Sequence, residues 1–255
     1  MNQIKRNIFS FWQRFIFEMT FVLGRDPWNY TSLYQQTKYE QTIKLLPSIP
    51  IKQALELGCA EGYLTGSLAT RVDHLIAADI SQIALDRAAK NCTVQRLENV
   101  CYLRLDLTTD LLPMGCDLIV CSEVLYYIGG QTELQTVARK LVNALAPGGY
   151  LLTAHAHRVN KEPERTHFDW LLPFGAKLIS ETLTDTHSLR LVKDIQTSSY
   201  CIQLFQLDCS AAMSLSHSLP EMIELPPSAL PLPDHNFFDP FSLAFIYNKL
   251  QQWLK

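Results

Sequence analysis

Hydrophobic positions between residues 51 and 206 follow two alternating patterns. Short runs rich in β-branched and aromatic residues are typical of strands, and the stretches between them carry apolar residues three and four positions apart, as helices do. The predicted strands are KQALEL, HLIAAD, NVCYLRLD, CDLIVCSEV, GGYLLTAHA, SLRLVKDIQ and YCIQLFQLD. The predicted helices are YLTGSLATR, SQIALDRAAKNC and QTELQTVARKLVNALAP. This alternation predicts right-handed crossovers and a mostly parallel sheet.

The connection between the last two predicted strands is too short to hold a crossover helix. We therefore expect these strands to pair antiparallel, as a hairpin. The predicted fold class is α/β, with a seven-stranded, mostly parallel Rossmann-like sheet, an antiparallel last strand and helices on both faces.

Glycine and proline divide the chain into three regions. All ten glycines lie at or before Gly175, whereas six prolines interrupt the stretch SLPEMIELPPSALPLPDHNFFDP. We expect residues 1–50 to form an N-terminal helical and lid segment and residues 51–210 to form the core domain. Residues 211–255 are predicted to form a Pro-rich arm and a C-terminal amphipathic helix.

Composition narrows the classes of partner. Apolar residues make up 47% of the 255 residues, and the net charge is -3. No nucleic-acid partner is expected, because phosphate binding needs clustered Lys and Arg. Seven cysteines without a C-x-x-C pair indicate reduced thiols in a cytoplasmic protein and no metal site. Gln13, Arg14 and Glu18 interrupt the N-terminal apolar run, which predicts a helix packed on the domain and no transmembrane segment.

The stretch ALELGCAEGYL, residues 54–64, places a glycine-rich turn after a buried strand. Gly58 and Gly62 allow close approach of a ligand and dihedrals that side chains disfavour. A dinucleotide fingerprint would need glycine where Ala60 and Tyr63 stand, and no Gly-Lys-Ser or Gly-Lys-Thr phosphate loop is present. The turn therefore predicts a ligand without phosphates at this position.

Acidic residues end the following strands. Asp79 lies 21 residues after Gly58, where a carboxylate can accept hydrogen bonds from both ribose hydroxyls. Asp106 can accept from an adenine amino group while the amide of Leu107 meets a ring nitrogen, and Glu123 ends the fourth strand. A nucleoside site without phosphates fits S-adenosyl-L-methionine, whose cationic sulfonium suits an acidic cleft.

Two further segments carry a family resemblance, DPWNYTSLYQQTKYEQTIKLLP at residues 26–47 and CDLIVCSEVLYYIGG at residues 116–130. With the core from about 51 to 206, they resemble the nodulation protein S (NodS)-like group of class I S-adenosylmethionine-dependent methyltransferases. The resemblance implies a methyltransferase sheet and N-methylation of a deacetylated glucosamine at the end of a chitin oligosaccharide. The expected acceptor is therefore an amine of an amino sugar or a similar polar small molecule.

The resemblance also implies roles for individual residues. Segment 25–39 would close as a lid over the cofactor, with Lys38 as a partner for its carboxylate. The expected cofactor-binding residues are Tyr30, Lys38, Glu56, Gly58, Gly62, Asp79, Ile80, Asp106, Leu107 and Ser122. The expected catalytic residues are Glu123, Tyr126 and His155, since a carboxylate or imidazole helps a primary amine to lose its proton.

Other functions remain open from the sequence. The acceptor could instead be a hydroxyl of a sugar, lipid or small metabolite, and the fold could serve as a non-catalytic adaptor. Methylation of an RNA 3′ end is disfavoured, because Glu123 is followed by Val-Leu-Tyr and lacks the metal-binding E-x-x-H pattern. The oligomeric state is left open.

Overall fold

The computed structural model describes residues 3–157 and 173–208. The helices are α1 Gln3–Leu23, α2 Leu33–Leu45, α3 Tyr63–Ala69, α4 Gln82–Val94, α5 Gln131–Ala144 and α6 Ala176–Thr184. The strands are β1 Gln53–Leu57, β2 His74–Asp79, β3 Val100–Arg104, β4 Cys116–Ser122, β5 Leu145–Ala156, β6 Leu189–Gln196 and β7 Tyr200–Leu207. A short 3-10 turn, Leu125–Tyr127, follows β4.

The seven strands form one sheet in the order β3-β2-β1-β4-β5-β7-β6. Strands β1 to β5 are parallel, whereas β7 runs antiparallel to both β5 and β6. The predicted fold class and the predicted hairpin are therefore confirmed. The strand order reverses between β1 and β4, and an open α/β sheet has its ligand crevice at such a reversal.

Alternate residues of the central strands point to opposite faces of the sheet. Leu55 and Leu57 pack into an apolar cluster with Leu141 of α5, and Ala54 packs into a second cluster with Leu68 of α3. All five side chains are buried. Helices thus cover both faces, which is why the strand sequences are almost continuously apolar.

Two elements differ from the sequence prediction. Strand β5 begins at Leu145 and includes the Ala-Pro-Gly-Gly segment, with a register shift opposite Cys116 and Leu118. Helix α6 was not predicted, because nine residues give little helical periodicity. Its buried positions Ala176, Ile179 and Leu183 nevertheless follow helical spacing.

Helix α1 packs on the domain, as its amphipathic pattern predicted. Phe9, Ile16 and Phe21 are almost fully buried. Arg87 of α4 donates to the carbonyl oxygens of Phe21 at 2.6 Å and Gly24 at 2.9 Å, which satisfies acceptors at the helix end. No helix in the described part of the chain is long and apolar enough to cross a membrane. The expected Pro-rich arm and C-terminal helix lie outside the described residues.

Gly62 provides a test of the turn that begins α3. We expect Gly62→Ala to lower the free energy of unfolding more than Gly115→Ala. Both glycines have positive φ, 82° and 74°, which costs a substituted residue about 1 to 2 kcal/mol. Only at Gly62 would the added Cβ also approach the Cβ of Ala88, at 2.9 Å, whereas nothing lies within 4 Å at Gly115.

Chemical denaturation of both variants measures the two effects separately. The excess loss at Gly62 is expected to be roughly 1 to 3 kcal/mol, the range for overpacking. Equal losses in the two variants would contradict the steric requirement at Gly62.

Candidate active site

The turn after β1 carries the backbone past the end of β4. Gly58, Ala60 and Gly62 have positive φ values of 74°, 47° and 82°. The Gly58 amide donates to the carbonyl oxygen of Ala78 at 2.8 Å, which fixes the turn to β2. A Cβ at Gly58 would lie 2.9 Å from the Val124 side chain, so this position requires glycine. Ala60 adopts the left-handed conformation with a small side chain.

Two buried carboxyl groups stand beside this turn. Asp79 accepts hydrogen bonds from the amides of Ala60 and Ser81, both at 2.9 Å. The Thr65 hydroxyl donates to Glu56 at 2.6 Å. Burial raises the pKa of Glu56 to about 7 and the pKa of Asp79 to about 6, because each charge is withdrawn from water. Both side chains line a cleft and retain unused acceptor positions.

Asp106 is almost fully buried and has several donors around it. Its Oδ1 accepts from the amide and the hydroxyl of Thr108, at 2.9 and 2.6 Å. Its Oδ2 accepts from the Ser10 hydroxyl and lies 3.6 Å from Arg14 Nε. Ser10 and Arg14 of α1 therefore contact one oxygen of the Asp106 carboxylate, the group that is expected to accept from an adenine amino group. Asp106 lines the cleft, and its contact with adenine stays a prediction.

Glu123 lies immediately after β4 and has both carboxylate oxygens engaged. Lys38 Nζ of α2 is 2.8 Å from Oε1, and the Tyr126 hydroxyl donates to Oε2. The Glu123 side chain is 27% exposed and lines the cleft. Its backbone has a φ of 55°, and its amide donates to the carbonyl oxygen of Ala154 at 2.9 Å. The backbone thus turns sharply here and directs the side chain into the cleft.

The position of His155 argues against the expected catalytic role. Its Nε2 accepts from the Leu125 amide at 3.2 Å, and it does not line the cleft. Burial, with a smaller contribution from the Lys38 charge, lowers the pKa of His155 to about 3. A neutral, enclosed imidazole is a poor base for a substrate in the cleft. His157, which directly follows the end of β5 at Ala156, does line the cleft.

A cleft of about 630 Å³ opens at the carboxyl ends of the parallel strands. Ten of the expected site residues line it: Tyr30, Glu56, Gly58, Asp79, Ile80, Asp106, Leu107, Ser122, Glu123 and Tyr126. Lys38, Gly62 and His155 do not line it. Lys38 is buried against Glu123, so its geometry favours that carboxylate over the carboxylate of a cofactor.

Several cleft residues were not anticipated. Gln13 and Phe17 of α1 line it, although the pattern of α1 was interpreted only as packing. Gln35 and Tyr39 of α2 also line it, four residues apart and so on one helix face. This four-residue spacing is the sequence signal for the face of α2 that reaches the cleft. The Gln35 Oε1 atom is buried without a hydrogen-bond partner in the described part of the chain.

The lining of the cleft fits a cationic nucleoside without phosphates. Five acidic side chains line it, from Glu56, Glu61, Asp79, Asp106 and Glu123. Among the described residues that line it, none is Lys or Arg. Lys38, Arg14 and Arg87 already pair with carboxylates of the lining, so no cation of the lining itself would face a phosphate, whereas a sulfonium would be attracted. Within residues 3–157 and 173–208, no group of three His, Cys, Asp or Glu is arranged to hold a metal ion.

The fold and this cleft define a class I S-adenosylmethionine-dependent methyltransferase. The sequence model of the nodulation protein S (NodS) family matches residues 20–194. The chain therefore belongs to the nodulation protein S family, whose members are S-adenosylmethionine-dependent methyltransferases.

Individual relatives agree with this assignment. Nodulation protein S of Rhizobium tropici is 28% identical over 193 residues, which cover 73% of this chain and 78% of that protein. The crystal structure of N-methyltransferase NodS from Bradyrhizobium japonicum WM9 in complex with S-adenosyl-L-homocysteine superposes with a TM-score of 0.65 at 26% identity. That match covers 76% of this chain and 98% of that chain.

A more distant similarity extends to another group of methyltransferases. Phosphoethanolamine N-methyltransferase 1 of Zea mays is 31% identical over 115 residues. These residues cover 44% of this chain and 22% of that protein.

Asp79 provides a test of the cofactor half of the cleft. We expect Asp79→Asn to weaken binding of S-adenosyl-L-homocysteine by about 1.5 to 3 kcal/mol, the contribution of hydrogen bonds to a charged acceptor. Because the pKa of Asp79 is raised to about 6, affinity should fall as the pH decreases through 6 and the carboxylate is protonated. The variant should lose this component of the pH dependence.

Calorimetric titration from pH 5 to pH 8 makes the measurement. The control is Asp86→Asn, which changes an exposed carboxylate on α4 and should leave affinity unchanged. If Asp79→Asn keeps the affinity and the pH dependence of the wild type, then Asp79 serves only to accept hydrogen bonds from the backbone amides around it.

Proposed function

We propose that this protein transfers the methyl group of S-adenosylmethionine to the nitrogen of a primary amine, carried by an amino sugar or a similar polar small molecule. The observation that carries the proposal is the Glu123 carboxylate, which lines the cleft with a fixed orientation. When bound, the cofactor supplies a methyl group on a cationic sulfur that departs as a thioether. The residues of the chain have to hold the amine in line and accept its hydrogen bonds.

Glu123 can take this role despite its two protein partners. A carboxylate offers about four acceptor positions, and Lys38 and Tyr126 use one on each oxygen. The remaining positions can accept an N–H of the amine and hold the nitrogen while its lone pair faces the methyl group. Orientation of this kind can contribute roughly 7 to 11 kcal/mol of barrier reduction. A hydroxyl acceptor would offer only one hydrogen for such contacts.

The rest of the cleft supports a polar, ring-shaped acceptor. Trp28 and Tyr127 add flat aromatic faces to the lining, which suit the apolar side of a sugar ring. Ser198 and Ser199, between β6 and β7, add hydroxyl groups that can bond to sugar hydroxyls. The mixture of flat apolar faces and polar groups is typical of small-molecule sites.

The relatives support nitrogen as the methylated atom. The Bradyrhizobium protein is named an N-methyltransferase, and the Zea mays relative is named for N-methylation of phosphoethanolamine, which carries a primary amine. These names describe those proteins, and the acceptor of this chain is inferred from its own cleft together with them.

The chemical test compares a glucosamine oligomer with its N-acetylated form, using labelled cofactor. We expect the free amine to be methylated, with a rate that rises with pH as the ammonium loses its proton. Glu123→Gln should reduce kcat by roughly tenfold or more, within the range for acid–base and orienting groups, while the affinity for S-adenosyl-L-homocysteine changes little. Equal rates for the acetylated sugar would place the methyl group on oxygen and overturn the proposal.

Gln35 gives a second test at the acceptor end of the cleft. It lies three residues before Lys38 on α2, hence on the same side of the helix as the residue that holds Glu123. Its buried Oε1 atom has no hydrogen-bond partner among the described residues, so it can accept a hydrogen bond from an N–H or O–H group of the methyl acceptor. We expect Gln35→Met to raise the KM for the glucosamine oligomer about five- to tenfold, the loss of roughly one hydrogen bond.

The control for Gln35 is Glu40→Gln, which changes an exposed side chain on the same helix. Steady-state kinetics of both variants and calorimetry with S-adenosyl-L-homocysteine distinguish the two ligands. A loss of S-adenosyl-L-homocysteine affinity in Gln35→Met would assign Gln35 to the methionine part of the cofactor instead.

A further inference from the structure

Lys38 is a buried cation next to the reacting end of the cleft. Its side chain is 1% exposed, and its Nζ is 2.8 Å from Glu123 Oε1. It lies on α2, 85 residues before Glu123 in the chain. A buried ammonium is costly to desolvate, so it persists only where a close anion or an equivalent partner compensates. Glu123 supplies that anion.

Aromatic rings enclose the same ammonium. Lys38 Nζ lies 5.0 Å from the centroid of the Tyr34 ring and 5.9 Å from that of Tyr200, within the distance of cation–π interactions. The two rings meet edge to face at 5.4 Å, and the Tyr200 hydroxyl donates to Gln41 Oε1 at 2.9 Å. Tyr34 of α2 and Tyr200 of β7 thus form an aromatic cage around the ammonium. Within residues 3–157 and 173–208, Glu123 is the only carboxylate in contact with Lys38.

The cage separates Lys38 from the cleft while Glu123 remains in it. Lys38 does not line the cleft, whereas Glu123 does. Burial and, to a smaller extent, the Lys38 charge lower the pKa of His155 to about 3, so this imidazole is uncharged at neutral pH and does not compete with Glu123 as a charged partner. The ammonium therefore acts on a ligand through the carboxylate that it holds.

We infer that Lys38 is a positioning residue, which fixes the Glu123 carboxylate for the methyl acceptor and makes no contact with the cofactor. One oxygen is held by Lys38 and the other by Tyr126, so rotation of the carboxylate would break both contacts. The geometry of Glu123 thus depends on α2, an element outside the predicted core domain.

The inference about turnover rests on the proposed function, whereas the ion pair itself can be tested without an acceptor. Thermal unfolding of Lys38→Met, Glu123→Gln and the double variant forms a mutant cycle. Glu123→Gln leaves the buried Lys38 ammonium without its anion, so the double variant should melt at a higher temperature than Glu123→Gln alone. A melting temperature of the double variant equal to or below the additive value would remove the coupling and overturn the inference.

Ligand binding and kinetics then distinguish the two possible partners of Lys38. We expect Lys38→Met to bind S-adenosyl-L-homocysteine within about twofold of wild type, while kcat with a glucosamine oligomer falls roughly tenfold or more. Lys38→Arg should recover part of kcat, because guanidinium also pairs with a carboxylate. Lys44→Met, an exposed position on the same helix, should match wild type in every measurement.

The opposite pattern of affinity and kcat would overturn the inference. A tenfold loss of S-adenosyl-L-homocysteine affinity with kcat unchanged at saturating cofactor would assign Lys38 to the carboxylate of the cofactor. If Lys38→Met does not fold, Lys38→Gln, which removes the charge and keeps a polar group beside Glu123, provides the same comparison of affinity and kcat. If wild type does not methylate the oligomer, the proposed acceptor fails, and the mutant cycle and S-adenosyl-L-homocysteine binding still decide the role of Lys38.

Discussion

The main physical constraint on the cleft is that carboxylates in its lining are buried away from water. Burial raises the pKa of Glu56 to about 7 and that of Asp79 to about 6, so their ionised forms are costly near neutral pH. Backbone amides and the Thr65 hydroxyl offset part of this cost. A sulfonium cation would offset more, whereas phosphates would add to the repulsion. The same constraint explains why a methyl donor with a positive charge fits and a dinucleotide does not.

The buried ion pair of Lys38 with Glu123 distinguishes the reacting end of the cleft from the end that is expected to bind the cofactor. In the described part of the chain, Glu61 and Asp106 of the cleft also face basic side chains, but only Glu123 is paired with an ammonium that is almost fully buried. That pairing reduces the net charge near the acceptor, so Glu123 acts through the direction of its hydrogen bonds more than through long-range attraction. The segments before the core domain therefore belong to the site: α2 supplies Lys38, and α1 contacts Asp106 through Ser10.

Much of the core could be read from local patterns, because each pattern reflects one local requirement. Short runs rich in β-branched and aromatic residues identified all seven strands, and the short last connection identified the hairpin. Helix α6 and the early start of β5 were missed, since a nine-residue helix and a strand containing Pro147 contradict the local signals. Of the ten expected site residues that line the cleft, all except Tyr30 lie at or shortly after the carboxyl ends of β1 to β4, which meet at one edge of the sheet.

The sequence by itself determined the sheet, the glycine-rich turn and the row of acidic strand ends, since these depend on backbone conformation and on residues near one another in the chain. Only the tertiary structure decided which side chains reach the cleft. His155 is turned inward onto the Leu125 amide, and Lys38 is directed at Glu123. Both outcomes depend on the packing of α2, β5 and the turn after β4, which are distant in sequence. Burial and contact partners of this kind arise from long-range packing, and no local pattern encodes them.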